Sequence, residues 1–583
     1  MTVNYSLKLA HINDTHSHLD PSRVQFILSQ QDKTYEVYTH SGGCARIGYQ
    51  VAKARAEASA AKQDFLFLHG GDSFQGTLYF SQFKGAANAE LLNLLKPDAM
   101  VLGNHEIDAG NTPVRNFLDL IQFPLLAGNM DLSGERKDKP SPLVGHKNLL
   151  DYDKAQQIAK YLLKPLGDKQ LAIVGITLDK MHDIARPDPD TGFIDAIETT
   201  RNTVKHLHAQ GIMHILVLSH LGIEMDRTLA REVEGISVIV GGHSHTLQGD
   251  FNALGCSALP YGELSGHTPI LHAGKYAETI GLCDIKFDAS GKVINLKGHN
   301  YFMLDRHLLL ESAETLAPDT YQGLMTQLEN HPGILWDEQD DALATLIETK
   351  YHPAITALEH QVLGFVPKNL IHTRLPSKAL PHGSEIAPWV CKSIYHEANR
   401  LAQEVDFALH NAGGVRQSLN KGAVTMADVL GRLLPFALPL VKYRIKGAFL
   451  YQAIESAING ATNNSITGTG AGSFPYTYGL RYCYDGRQKI GERLLKLEIL
   501  QGGELSEKFM QGSWIEVAPD GFYTGVSSAY TASGKEGYQA LLNAQWQQEI
   551  NELTLPDAFI RFMSRQPGLT GEITPQVEYI SHL

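Results

Sequence analysis

Short apolar runs that stop abruptly at polar residues recur through the first half of the chain. Ser6-Leu7-Lys8-Leu9-Ala10-His11-Ile12 alternates as a half-buried strand does and breaks at Asn13-Asp14-Thr15-His16-Ser17-His18. Phe65-Leu66-Phe67-Leu68 breaks at His69-Gly70-Gly71-Asp72-Ser73, and Ala99-Met100-Val101-Leu102 at Gly103-Asn104-His105-Glu106-Ile107-Asp108. Ile215-Leu216-Val217-Leu218 is followed by Ser219-His220, and Val238-Ile239-Val240 by Gly241-Gly242-His243-Ser244-His245. Runs this short and this apolar predict buried strands. In open α/β sheets ligands bind outside the carboxyl ends of the strands. The expectation is one sheet that presents Asp14, His16, Asp72, Asn104, His220, His243 and His245 along one edge. One histidine at a strand end is an ordinary satisfied polar residue. Five ends carrying this selection are hard to attribute to packing.

The rest of the pattern supplies the frame. Helical spacing is expected after Ser41-Gly42-Gly43-Cys44-Ala45-Arg46 through about residue 61, and near 86–95. Further strands are expected near 124–127, 171–176, 269–276 and 281–287, the last two completing a sandwich of two sheets. Residues 132–169 read as a surface excursion, and 340–358 as a helix broken near Pro353. Beyond 362 the motifs change. A strand at 407–410 enters Asn411-Ala412-Gly413-Gly414-Val415-Arg416, followed by Pro435-Phe436 and by Tyr530-Thr531-Ala532-Ser533-Gly534-Lys535-Glu536-Gly537-Tyr538. A Gly-Gly turn lets backbone approach a ligand, and aromatic side chains on separate loops can sandwich a base. At 583 residues the chain is too long for one core. The boundaries expected are a domain over 1–335, a helical linker over 336–361 and a domain over 362–583.

Bulk properties narrow the function. Apolar content of 43% and charged content of 19% are those of a globular protein, and no apolar run reaches the ~18 residues of a membrane span. A net charge of −13 argues against a nucleic-acid polymer as partner. It leaves room for a small phosphorylated substrate if metal ions invert the local field. Five scattered cysteines, never in a Cys-x-x-Cys pair, read as free thiols. The first residues carry no basic and apolar leader, which predicts a cytoplasmic protein, or a periplasmic one if a leader has been removed.

Chemistry enters with the side chains. Asp14 and His16 are two apart and point the same way in extended backbone, a half-site suited to Zn, Mn or Fe. Asn104 offers an amide oxygen to a cation, and His105 a proton that moves near neutral pH, with Asp108 able to hold the imidazole. Arg46 reads as a surface arginine within reach of an anion at a helix start, and His18 as surface or support.

In order and spacing, Asp14-Thr15-His16, Gly71-Asp72, Gly103-Asn104-His105-Glu106, His220 and Gly242-His243-Ser244-His245 resemble the five blocks of the calcineurin-like metallophosphoesterases. The Asn411 to Arg416 stretch, Pro435-Phe436-Ala437 and Gly534-Lys535-Glu536-Gly537-Tyr538 resemble, more loosely, the C-terminal domain of the 5′-nucleotidases. The resemblance implies an α/β (α+β) protein: a four-layer metallophosphoesterase β-sandwich flanked by helices, joined by a helical linker to a second α/β, nucleoside-binding domain. It implies two divalent ions, Zn, Mn or Co. Asp14, His16 and His245 would hold one, Asn104, His220 and His243 the other, and Asp72 would bridge. His105, oriented by Asp108, would act on the phosphoryl group while activated water attacks in line. Asn411, Gly413, Gly414, Arg416, Phe436, Tyr530 and Glu536 would hold the nucleoside, with domain closure completing the site. Glu536 and Lys535 depart from the family's Asp and Gly, and His382 stands near a family Arg whose charge Arg374 could replace. The activity expected is hydrolysis of nucleoside 5′-monophosphates. The alternatives are 2′,3′-cyclic-nucleotide phosphodiesterase and 3′-nucleotidase activity, UDP-sugar hydrolysis, a thiosulfohydrolase of sulfur oxidation, and a non-catalytic nucleotide-binding protein.

Overall fold

The apolar runs pair into two sheets, and the five strand ends are divided between them. In the computed structural model, which describes residues 5–256, 258–310, 316–401, 404–462, 470–501 and 512–582, the chain forms two compact units, Met1–Pro353 and Ala354–Leu583. In the first unit an eight-stranded sheet has Tyr5–Ile12, Asp64–His69 and Ala99–Val101 as parallel neighbours at its centre, with Thr279–Phe287 antiparallel beside the first. A six-stranded sheet has Lys169–Ile176, His214–Ser219, Val238–Val240 and Thr268–Leu271 in parallel. Parallel pairing brings carboxyl ends to one edge of each sheet.

Alternation decides which face each residue covers. Leu7, Leu9, Leu66, Leu68 and Val101 of the first sheet meet Ile173, Leu216, Leu218, Val238 and Val240 of the second in one buried cluster. The other face of the second sheet, through Val174, Ile215, Val217 and Ile239, packs on Val204, Leu207 and Leu229 of the helices Ala196–Ala209 and Ile223–Glu232. Helix Cys44–Ala60 lies against Tyr5–Ile12 and Asp64–His69. The order is helix, sheet, sheet, helix. In the second unit Pro475–Tyr478, Phe407–Asn411, Phe522–Ser528, Pro439–Lys446 and Trp546–Thr554 form a five-stranded sheet. The helices Ala387–Arg400, Gly447–Thr462 and Leu555–Arg565 share its core.

Three local expectations are corrected. The excursion at 132–169 contains Tyr161–Leu166, an edge strand of the six-stranded sheet. It is also tied down by Lys139, whose Nζ lies 2.7–2.8 Å from Glu135, Asp188 and Asp190. Arg46 is no surface residue: it is buried, ion-paired with Asp305, and donates to the Met303 carbonyl at 2.7 Å. Pro353 does not break the helix. Ile347–Tyr351 widens to a π turn between Asp341–Leu346 and His352–His360. A π turn accommodates the missing N–H and the ring that would clash in an α-helix. Among the described residues no helix is long and apolar enough to cross a membrane.

Candidate active site

The carboxyl ends of the two sheets converge, and the polar residues there are aimed by an unusual backbone. Asp14, His16, Asp72, His243 and His245 have φ of 50°, 47°, 54°, 76° and 54°. Few residues other than Gly adopt this left-handed region, Asn, Asp and His more often than the rest, and each such residue stores about 1–3 kcal/mol held by its surroundings. The expectation that Asp14 and His16 align through extended backbone is therefore wrong. They converge because the chain turns left-handed at both. Glycine is required beside them: a Cβ on Gly242 would lie 2.3 Å from the Gly70 carbonyl, and one on Gly103 2.1 Å from Asp72 Oδ1.

Seven of the expected metal donors come together in two adjoining groups. Asp14, His16 and His245 form one, with the Nε2 atoms of His16 and His245 2.9 Å apart and His245 Nε2 3.7 Å from Asp14 Oδ1. Asp72, His220 and His243 form the other, with Asp72 Oδ2 3.2 Å from His220 Nε2. Asn104 Oδ1 lies 3.0 Å from His243 Nδ1 and 3.3 Å from His220 Nε2. Several of these ligands have their other polar atom spoken for. His220 Nδ1 donates to the Gly70 carbonyl at 2.7 Å, His16 Nδ1 faces the Phe74 carbonyl at 3.3 Å, and Asp14 accepts from the His243 N–H at 2.9 Å. Such outer contacts fix the tautomer and leave the remaining nitrogen for a metal. Burial depresses His243 and His245 to about 4, so both are neutral donors at neutral pH. Burial also opposes ionisation of Asp72, but His220 and His105 hold it well below the usual carboxylate range. Burial opposes a charged His220, yet Asp72 raises it to about 9: a proton there stands where a cation would. Imidazole nitrogens, two carboxylates and an amide oxygen, converging and mostly buried, fit a pair of divalent ions.

His105 belongs to a third group, with His16 and Asp72, whose candidate ligand atoms all lie within 4.8 Å of one another, but Asp108 claims one of its ring nitrogens. Its Nδ1 meets Asp108 Oδ2 at 2.5 Å, its Nε2 is 4.0 Å from Asp72 Oδ2, and its side chain keeps 26% exposure. Burial disfavours its cation, but Asp108 and Asp72 more than compensate and raise it to about 10. The result is an imidazolium at the mouth of the donor cluster. Sequence reasoning passed over its neighbour Glu106. This carboxylate is buried and accepts the backbone N–H groups of Asp72, Ser73, Phe74 and Gly103 at 2.6–3.0 Å, so it splices two strand-end loops together. Its presence in the Gly-Asn-His-Glu block was the available signal. Also unforeseen is a fully buried pair, His272 Nε2 to Asp226 Oδ2 at 2.7 Å. Asp226 also accepts from Ser219 Oγ at 2.5 Å, and the pair lies against Gly241.

In the second unit Asn411 Nδ2 donates to Glu536 Oε2 at 3.0 Å, and its Oδ1 accepts from Thr531 Oγ1 at 3.2 Å. Glu536 has φ 49°. Burial raises its pKa, opposed by its bonds to Asn411 and Tyr530 and by the charges of Arg374 and Arg416. The Arg416 guanidinium lies 5.7 Å from the Phe436 ring centre, and its Nη1 faces the Gly413 carbonyl at 3.3 Å. Asn411, Gly413, Arg416, Phe436, Tyr530 and Glu536 thus form one neighbourhood, with Arg374 beside it. His382 instead turns to the Val577 carbonyl at 2.8 Å. At Gly414 a Cβ would lie 2.2 Å from Nε2 of the buried His410, so the absence of a side chain makes room for that ring.

Comparison with known proteins gives the same division. Residues 7–247 match the family model for calcineurin-like phosphoesterases, and residues 371–543 that for the 5′-nucleotidase C-terminal domain. The chain is 29% identical to a probable 5′-nucleotidase of Treponema pallidum, covering 92% of this chain and 88% of the relative. It is 28% identical to the NAD 5′-nucleotidase of Haemophilus influenzae, covering 98% and 92%. The crystal structure of a 5′-nucleotidase precursor from Thermus thermophilus superposes with a TM-score of 0.69 at 27% identity, covering 99% of each chain.

Proposed function

The chain belongs to the two-domain 5′-nucleotidase family, a metal-dependent hydrolase of calcineurin-like type, and from that premise we propose that it converts nucleoside 5′-monophosphates to nucleoside and phosphate. The observation that carries the reading is the pair of adjoining donor groups with the His105–Asp108 pair at their mouth. Asp14, His16 and His245 would hold one ion and Asn104, His220 and His243 a second, with Asp72 between them. The donor types suit Zn, Mn or Co. When bound, the ions supply Lewis acidity toward water and toward the phosphoryl oxygens.

The chain's own groups do the rest. Water oxygen bonds to phosphorus, the bond from phosphorus to O5′ breaks, and the nucleoside leaves with a proton as its 5′-hydroxyl. His105 presents the Nε2 proton to the phosphoryl oxygens or to the departing oxygen, and Asp108 on Nδ1 keeps that proton in place. Asn411 and Glu536 would bind nucleoside hydroxyls, Phe436 and Tyr530 the base face, and Arg416 with Arg374 would offset negative charge. The test is phosphate release from AMP, UMP and GMP with Mn, Co or Zn added. NAD joins the panel because a relative is named for it. Absence of release from every monophosphate at every metal loading would end the proposal.

A further inference from the structure

His105 and Asp108 are partly exposed, yet the turn over residues 107–110 runs between two buried clamps. On one side is Glu106 with its backbone N–H groups. On the other is Asn111, fully buried at the start of helix Asn111–Leu120. Its backbone N–H donates to Asp188 Oδ1 at 3.1 Å, and its Oδ1 accepts from the Asp188 N–H at 3.1 Å. Its Nδ2 donates to Glu135 Oε1 at 3.1 Å and to Thr191 Oγ1 at 2.8 Å. Both polar atoms of that side chain are thus taken up by the segment 135–191. The same segment touches the turn directly: a Cβ on Gly110, at φ 89°, would lie 3.1 Å from Asp188 Oδ1.

One ammonium holds those partners in place. Lys139, its side chain 7% exposed, sets Nζ 2.7 Å from Glu135 and 2.8 Å from both Asp188 and Asp190. Glu135 is buried as well, and its other oxygen accepts from the Leu143 and Val144 N–H groups at 2.8 and 2.6 Å. Without the cation, the two carboxylates that grip Asn111 would repel each other where little water screens them. The turn would then lose its hold at one end only, because the Glu106 clamp shares no residue with this cluster. A misplacement of about 1 Å can cost about 10²-fold in rate even when its source is remote.

We infer that Lys139 is a positioning residue: through Glu135, Asp188 and Asn111 it fixes the turn that carries Asp108, and so aims the His105 imidazole at the phosphoryl group. The inference rests on the monophosphate reading for what His105 does, and on the geometry alone for how His105 is held.

The experiment compares metal-loaded wild type with Lys139→Met and Asn111→Ala, each alone and combined with His105→Ala. Asn111→Ala changes no charge, so it keeps the test available where loss of Lys139 prevents folding. Each single variant should lose about 10–100-fold in kcat on AMP, with both ions retained and KM little changed. On the His105→Ala background the same changes should cost less than about twofold, since an absent imidazole cannot be misplaced. A general loosening of the fold would cost the same factor on both backgrounds and would overturn the inference. So would loss of an ion from either single variant.

A second readout needs no turnover. The proton between His105 Nδ1 and Asp108, in a charge-assisted bond of 2.5 Å, gives a far-downfield proton resonance that His105→Ala removes and thereby assigns. In both single variants this resonance should shift or broaden. An unchanged resonance would overturn the inference even if kcat fell. A wild type that releases no phosphate from AMP would end the monophosphate reading, and the resonance would still decide the positioning.

Discussion

Asn104 and His105 are adjacent in the chain yet belong to different jobs, one aimed at His220 and His243, the other held by Asp108. Asn104→Ala should therefore lose one of two bound ions by elemental analysis. His105→Ala should retain both and lose about 10²–10⁴-fold in kcat, the usual contribution of a positioned acid. Emptying of a metal site by His105→Ala would refute the division. The His105 cation also sets a pH window. Its pKa rises from the ordinary 6.5 to about 10, so the stability it contributes is fully present below 6.5 and is lost as pH rises through about 10. If the protonated form is the active one, kcat falls along an alkaline limb as His105 deprotonates. In Asp108→Asn, with the largest raising influence removed, that limb should move to lower pH in the rate profile. An unmoved limb would assign it to another group.

At the scale of elements, the site is made by loops that secondary structure only launches. Glu106 joins the loop after Asp64–His69 to the loop after Ala99–Val101, while Asp226 joins helix Ile223–Glu232 to the ends of two strands of the other sheet through Ser219 and His272. Removing one member of a fully buried hydrogen-bonded pair leaves the other without its partner, at about 1–3 kcal/mol. Asp226→Ala should lose that much in denaturant unfolding of the first unit. The double change Asp226→Leu with His272→Leu should lose less, because the imidazole is not left without its partner. Strands and their polar ends were legible because packing alone seldom ends a buried run in His or Asp. The partition into two sheets was not, since periodicity identifies a strand and says nothing of its partner. The positive φ at five donors was equally invisible, because Asp and His take left-handed backbone more often than most residues but still in a minority of cases, so their presence does not announce it. Arg46 misled for a simpler reason: its acceptors, Met303 and Asp305, lie far along the chain.

Across the whole molecule, each unit has its own core, and the metal donors all belong to Met1–Pro353. A ligand that binds only the folded form stabilises by about 2.7 kcal/mol at a hundredfold excess over Kd. Calorimetry should therefore resolve two transitions, and a chelator should lower one of them while leaving the other in place. A single transition shifted as a whole would show that the units melt together. That Asn411, Arg416, Phe436 and Glu536 lie near one another was legible in outline, through the Gly-Gly turn and the aromatic loops. The burial of His410 beneath Gly414 was not, because a strand histidine gives no sign of which face it takes. The left-handed donors carry one more implication, for directed evolution. Screening a metal-free library for heat resistance alone would reward glycine at 14, 16, 72, 243 and 245, where it relaxes the backbone. Every such winner would have discarded a metal donor, so thermostabilisation of this scaffold has to be selected with turnover in the same screen.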